Sequence, residues 1–356
     1  MSRAREFADL AGSVDAGGVT GRNLIINGAM NIAQRGTSST GTGYQTVDRY
    51  SIQNSGNVTQ SQEDLSSSDT PYSHGFRKTL NLLNSSNSDA AGDYVQAFQI
   101  IEAQNVATSG WDYTSSSSFV TIQFWAKSSL AGTYVSFLRT NDGTARIFTN
   151  EFTLVADTWK KITYTVPGDS GLTINNDNGV GLELFVSPYY GSAYTTSGHT
   201  DEAWITYSSS DITGDFAQNW KNTSSATFFL TGVQLEVGQT ATTFEHRSFG
   251  DELAKCQRYY EQLGPSNNNS GSSAYSYALT SYDGTGSNMW LTIDFAVTKR
   301  AAPTSLDLIN GYSWAGTPAA FGYGTTGITM YRAGTSIISK STSGTDNATV
   351  EVDCEL

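Results

Sequence analysis

Among 356 residues there are two cysteines, three histidines, four methionines and six prolines, and only 15% of the chain is charged. Each scarcity excludes something. Cys256 and Cys354 are too few for a disulfide framework and read as reduced thiols. Cys354 alternates with Val350 and Val352 against Glu351, Asp353 and Glu355, as a small apolar residue on a buried strand face would. His74, His199 and His246 supply neither an H-E-x-x-H pair nor a histidine-rich centre, so no metal and no cofactor is expected. No run of 18 apolar residues exists, which excludes a spanning helix and membrane insertion. The opening Met1-Ser2-Arg3-Ala4-Arg5-Glu6-Phe7 lacks the apolar stretch of a secretory signal. Lysine and arginine number 20 against 33 acidic residues, a net charge of −13. That balance disfavours nucleic acid and anionic membranes as partners.

What is abundant points one way. Serine and threonine make up a quarter of the chain, glycine contributes 35 residues, and 12% of residues are aromatic. Strong helix formers are scarce and pleat-fitting residues common, so an all-β chain with polar turns is expected. Period-two alternation supports it. Val120, Ile122, Phe124 and Ala126 alternate with Thr121, Gln123 and Trp125; Ile162, Tyr164 and Val166 alternate with Lys161, Thr163 and Thr165. Val180, Leu182, Leu184 and Val186 form the next run, then Phe229, Val233, Leu235 and Val237. Ser/Asn/Asp/Gly clusters separate these runs, as in a two-sheet jelly roll. One helix interrupts the pattern: Phe249, Leu253, Cys256 and Tyr260 form a helical stripe over roughly 250–262, closed by Gly264-Pro265. The segment Ser266–Ser273 reads as a linker, and alternation returns at Leu291, Ile293, Phe295 and Val297. The expected organisation is an arm over 1–22, a jelly-roll β-sandwich over 23–248, a helix and linker over 249–273, and a smaller β domain over 274–356.

Several stretches imitate catalytic motifs without their context. Gly168-Asp169-Ser170-Gly171 resembles the surroundings of a serine nucleophile but reads as a turn. Gly322, Gly324 and Gly327 spell G-x-G-x-x-G with no helix after them. Asn175–Gly179 has the composition of a calcium loop without the required glutamate. The aromatic residues carry a better functional case. Tyr189, Tyr190 and Tyr194, with Trp204 beyond, and Tyr312, Trp314 and Tyr323 near the C-terminus offer flat faces with polar edges, suited to stacking on sugar rings. The competing reading is that these rings are packing residues.

Two stretches resemble one family. Asn23-Leu24-Ile25-Ile26-Asn27-Gly28-Ala29-Met30-Asn31-Ile32-Ala33-Gln34-Arg35-Gly36-Thr37, with Val47-Asp48-Arg49-Tyr50 after it, is similar to the opening of tailed-bacteriophage virion appendage proteins. Thr231-Gly232-Val233-Gln234-Leu235-Glu236-Val237-Gly238, continuing from Phe244-Glu245-His246-Arg247 through Tyr260, is similar to that module's close. The middle, with Phe124-Trp125-Ala126-Lys127 and Trp159-Lys160-Lys161-Ile162, resembles carbohydrate-binding jelly rolls, and Lys299–Thr304 resembles a segment found beyond the module in such proteins. The resemblance implies a non-enzymatic virion protein, assembled in the host cytoplasm and then extracellular. It would be a homotrimeric short tail fibre or receptor-binding spike that contacts host surface polysaccharide. Arg3, Arg5, Phe7 and Leu10 of the arm would dock it to other virion proteins. The short arm implies no large anchoring domain or shaft. A head decoration protein and a glycan depolymerase are the alternatives.

Overall fold

The computed structural model describes residues 21–216, 218–263, 279–282, 288–303, 306–309, 312–314, 320–333, 338–340 and 349–356. Arg3, Arg5, Phe7 and Leu10 of the expected arm, and the 266–273 linker, lie outside them. The chain divides into two compact units, one running to Phe249 and joined by Leu356, the other Gly250–Glu355.

The first unit is a jelly-roll sandwich of two six-stranded antiparallel sheets. One sheet orders β1 (Ser38–Ser39), β3 (Val58–Asp64), β4 (Lys78–Asn84), β12 (Thr227–Val237), β6 (Phe119–Ser128) and β9 (Lys160–Pro167). The other orders β11 (Trp204–Thr206), β8 (Arg146–Leu154), β7 (Gly132–Thr140), β10 (Val180–Tyr190), β5 (Tyr94–Glu102) and β2 (Ser51–Asn54). Two short helical turns, α1 (Thr70–Ser73) and α2 (Ala103–Ala107), join strands. The alternating residues of β6, β9 and β10 face inward as expected, with Ile122, Phe124, Val166 and Leu182 fully buried between the sheets. On β9 the alternation is clean, Lys161, Thr163 and Thr165 being exposed. On β6 it is not. Thr121 and Gln123 point away from the core yet are buried, because the chain after β12 folds back over them. Thr121 Oγ1 donates to the Gly238 carbonyl at 2.7 Å, and Gln123 Nε2 donates to the Thr242 carbonyl at 2.8 Å.

β12 departs from the expected pattern. Phe228 and Leu230 face inward before a register shift, Val233 and Leu235 after it, so Phe229 lies on the opposite face and Val237 is half-exposed. The shift passes through Gly232 at φ +66°, a left-handed conformation that favours glycine.

Outside the same sheet, Asp69 organises a small polar–aromatic cluster. It accepts from Trp159 Nε1 at 2.7 Å and pairs with Lys127 at 3.4 Å, while Lys127 lies over the Trp159 and Phe229 rings. Burial pushes the Asp69 carboxyl upward, but hydrogen bonds from Trp159 and Ser66, with Lys127, outweigh it and hold the pKa down at about 2, against an ordinary 3.8. The folded carboxylate is thus favoured relative to the unfolded one. Its stabilisation is present above pH 3.8 and is lost as pH falls from 3.8 towards 2. Asp69→Asn should lower stability at pH 7 by about 1–2 kcal/mol and flatten the acid limb of the urea midpoint against pH. Unchanged midpoints in that window would refute the assignment.

In the second unit, α3 (Phe249–Gln257) is shorter than the stripe suggested. β13 (Tyr260–Leu263) comes next, paired with β21 (Thr349–Asp353), which also pairs with β16 (Leu306–Ile309). The stripe fails at both ends: Phe249 is 64% exposed, and Tyr260 belongs to the strand. Tyr259-Tyr260 fit a pleated surface, and pairing with Val350 to Asp353 outweighs helical continuation. A second sheet orders β14 (Leu279–Tyr282), β15 (Asn288–Asp294), β19 (Gly327–Ala333) and β18 (Ala320–Tyr323); β17 (Tyr312–Trp314) pairs with β20 (Ile338–Lys340). The G-x-G-x-x-G glycines therefore belong to a β18–β19 hairpin, with Gly324 N donating to the Gly327 carbonyl at 3.0 Å. Cys256 and Cys354 are unlinked and buried.

Candidate functional site

The end of β10 builds a cleft of about 460 Å³ in the first unit. Its register slips between Val186 and Tyr189, at Pro188, which has no N–H to give the ladder. The slip sets which of the two consecutive rings faces the core. Tyr189 joins the cluster between the sheets, and Tyr190 joins an aromatic layer outside β5, β7 and β10. In that layer Phe98, Phe185 and Phe137 lie opposite one another on three adjacent strands and stack at 4.7 and 4.4 Å.

Two loops complete the walls. The loop before β5 is knotted by Asp93, which accepts from Ser55 Oγ at 2.9 Å, from the Ala90 amide at 3.0 Å and from Ser88 Oγ. These bonds outweigh burial and hold its carboxyl below the usual range. The knot presses Ala90 and Ala91 against Gly191, where an added Cβ would lie 2.6 Å from the Ala91 carbonyl oxygen. The other loop, before β12, is anchored by Trp220 and Lys221, both almost wholly buried. The Lys221 ammonium donates to Ser86 Oγ at 2.8 Å and to the Gly56 carbonyl; burial lowers its pKa despite Asp93 nearby.

The resulting floor is aromatic. Tyr189 and Phe216 lie 5.9 Å apart, with Tyr190 beside them and Phe216 half-buried. The rim is polar: Asp89 accepts from Asn219 Nδ2 at 2.5 Å, and Asp215 accepts from Thr195 Oγ1 at 2.7 Å. Burial raises the pKa of both tyrosines, and Asp89 and Asp93 add to it at Tyr189, so both phenols remain donors at neutral pH. Tyr190 donates to Gln96 Oε1 at 2.5 Å. The Tyr189 hydroxyl makes no hydrogen bond among the described residues.

The aromatic residues singled out from the sequence have different fates. Tyr189 and Tyr190 line the cleft but are only 6% and 3% exposed, too buried for either to offer a free stacking face. Tyr194 packs against Tyr190 and Tyr94 at 5.8 and 5.7 Å rather than lining the cleft. Trp204 is 9% exposed, wedged against Phe148 with its indole N–H donating to the Pro167 carbonyl at 2.7 Å, and is not brought to the cleft. Burial leaves its ring no face for a sugar. Tyr312 and Trp314 lie in β17 and Tyr323 in β18 of the second unit. Sequence reasoning missed Phe216, Asp89 and Asp215. Their only signal was membership of Asp/Gly-rich loops flanking the tyrosines.

No family model matches the chain, and no curated protein matches it. Among solved structures, the chain is similar to a family 16 carbohydrate-binding module at 12% identity, covering 60% of this chain and 99% of that one, with a TM-score of 0.28. A family 30 carbohydrate-binding module is similar at 13% identity, with 64% and 89% covered and a TM-score of 0.27. The N-terminal cellulose-binding domain of Cellulomonas fimi β-1,4-glucanase C is similar at 10% identity, with 46% and 79% covered and a TM-score of 0.27.

Proposed function

We propose that the chain is a glycan-binding protein that holds a neutral saccharide unit in the Tyr189–Phe216 cleft without cleaving it. The observation that carries this reading is an aromatic floor beneath carboxylate–amide and carboxylate–hydroxyl pairs. The half-buried Phe216 ring meets the C–H face of a pyranose. Asp89 and Asp215 accept from sugar hydroxyls, Asn219 donates to them, and the unspent Tyr189 hydroxyl supplies a further donor. A binding role is supported because both carboxylates are already engaged by neighbouring side chains.

The cleft is shallow, so a single site should be weak. A hexose of about twelve heavy atoms, at about −0.3 kcal/mol each, gives about −4 kcal/mol and a Kd near 1 mM. Such a site becomes useful through repetition. The likeness of the opening and closing stretches to tailed-phage appendage proteins supports a setting that supplies it: a homotrimeric short tail fibre or receptor-binding spike. That spike would dock through the arm and face host polysaccharide. Light scattering of the full chain at micromolar concentration should give a trimer mass, and the chain should localise to the tail of an intact particle; hundreds of copies on the head would favour decoration.

The cleft itself is tested by titrating the full chain with host surface polysaccharide and neutral oligosaccharides. Phe216→Ala should weaken binding at least tenfold and Asp215→Ala several-fold. Wild-type protein that binds no neutral glycan, or a Phe216→Ala variant that binds equally well, would overturn the reading. Shortening of the polysaccharide on incubation would replace binding with cleavage.

A further inference from the structure

The geometry points to a second saccharide site, on the outer face of the β6–β12 sheet, built for a carboxylate-bearing sugar. It does not rest on the Tyr189 cleft. Here a cavity of about 330 Å³ lies beneath the chain that folds back after β12. Trp125 on β6 and Lys161 on β9 are direct cross-strand partners, so their side chains rise together from one face. Gly232, at the β12 bulge, keeps the wall open: a Cβ there would lie 2.7 Å from Phe76 and 3.0 Å from Trp125. Phe244 and His246 close the far side, 4.8 Å apart.

The lining chemistry is the reverse of the first cleft. No carboxylate lines the cavity, and its unspent groups are mostly donors. Lys161 is exposed, and among the described residues its ammonium has neither an ion-pair nor a hydrogen-bond partner. The Trp125 indole N–H and the His74 ring nitrogens likewise make no hydrogen bond among the described residues. Gln123, 1% exposed, has spent its amide on the Thr242 carbonyl and leaves its carbonyl oxygen without a partner. A ligand that fits offers a carboxylate to Lys161 and the Trp125 N–H, and an apolar ring face to Phe244 and His246. A uronic acid residue has both. The chain's net charge of −13 does not forbid it, because at physiological salt charges beyond about 8 Å are largely screened and the adjacent ammonium dominates.

The test is titration of the full chain with glucuronate, glucose and acetate, read by NMR or calorimetry. Glucuronate should bind at least tenfold more tightly than glucose at this site. Lys161→Gln, an exposed substitution, should remove that preference while leaving binding of neutral glycan at the Tyr189 cleft unchanged. Trp125→Phe, which keeps a ring and deletes the N–H, should weaken glucuronate several-fold. Equal binding of glucuronate by Lys161→Gln, or no discrimination from glucose, would overturn the proposal. So would acetate that competes as well as glucuronate, because the ring contacts would then contribute nothing. Phe216→Ala separates the two sites: it should leave the glucuronate response intact.

Discussion

Gly28→Ala should destabilise the first unit by about 3–5 kcal/mol, more than an ordinary surface or turn substitution. An added Cβ would lie 2.1 Å from the carbonyl oxygen of Val233 and 3.1 Å from its carbonyl carbon. Neither partner has freedom to retreat. The Val233 amide donates to the Gly28 carbonyl at 2.9 Å, and Leu24 donates to the Leu235 carbonyl at 2.9 Å. Asn23, itself buried, accepts from the Leu235 and Ile25 amides at 3.0 Å each and donates to the Val233 carbonyl at 3.2 Å. Glu245 and Arg247 grip the same segment: Glu245 accepts from the Asn23 amide at 2.8 Å, and Arg247 donates to the Ile25 carbonyl at 3.0 Å. Moving this segment or β12 far enough to admit a methyl breaks several of these buried bonds together, each worth about 1 kcal/mol. Urea unfolding monitored by tryptophan fluorescence measures the loss, since Trp111, Trp125, Trp159, Trp204 and Trp220 all lie in this unit. Gly198→Ala is the control. Nothing lies within 4 Å of its added Cβ, and it should change stability by less than about 0.5 kcal/mol. A Gly28→Ala variant as stable as that control would show that the opening segment and β12 are not locked.

The same lock explains what was legible in the sequence. The opening and closing stretches that carry the resemblance are about 200 residues apart in the chain and meet in space, so much of their pattern serves packing between them. Asn27 shows how specific that packing is: wholly buried at φ +58°, it donates to the Ile32 and Asp48 carbonyls at 2.9 and 3.0 Å and accepts from the Ile32 amide at 3.0 Å. Strand identity was readable wherever one face meets solvent, as on β9. Burial of the outer face was unreadable where a later segment covers it, as over Gln123, and the facing was misread where a bulge changes the period, as at Gly232. The cleft suffered from the second effect. The alternation read from the sequence ends at Val186, whereas Tyr189-Tyr190 continue and end the same strand beyond a bulge, with both rings buried. Phe216, Asp89 and Asp215 gather only through a loop knot at Asp93 and anchors at Trp220 and Lys221. No spacing rule encodes that convergence.

Burial of charge was the feature least visible in the sequence, and Lys299 illustrates it. Its side chain is wholly buried in the second unit, with the ammonium 2.5 Å from Glu261 Oε2 and 2.5 Å from the Gln257 carbonyl, and 5.0 Å from the Phe295 ring centroid. Glu261, 4% exposed, also accepts from the Ala296 amide at 3.1 and 3.2 Å. Burial pushes the Lys299 pKa below its usual value, against the pull of Glu261, so desolvation outweighs the attraction. Lys299→Met should accordingly destabilise the second unit by about 3–5 kcal/mol, because it leaves a buried carboxylate with, among the described residues, only the Ala296 amide. Lys299→Met combined with Glu261→Met should recover more than half of that loss, because no buried charge then remains. Hydrogen–deuterium exchange of β13 and β21 reports on this unit directly: protection should collapse in the single variant and return in the double. If the single variant costs under about 1 kcal/mol, the ammonium is solvated in solution. A double variant as unstable as the single would instead mean that the pair specifies the packing of β13 against β21 and is not a burden that the fold carries.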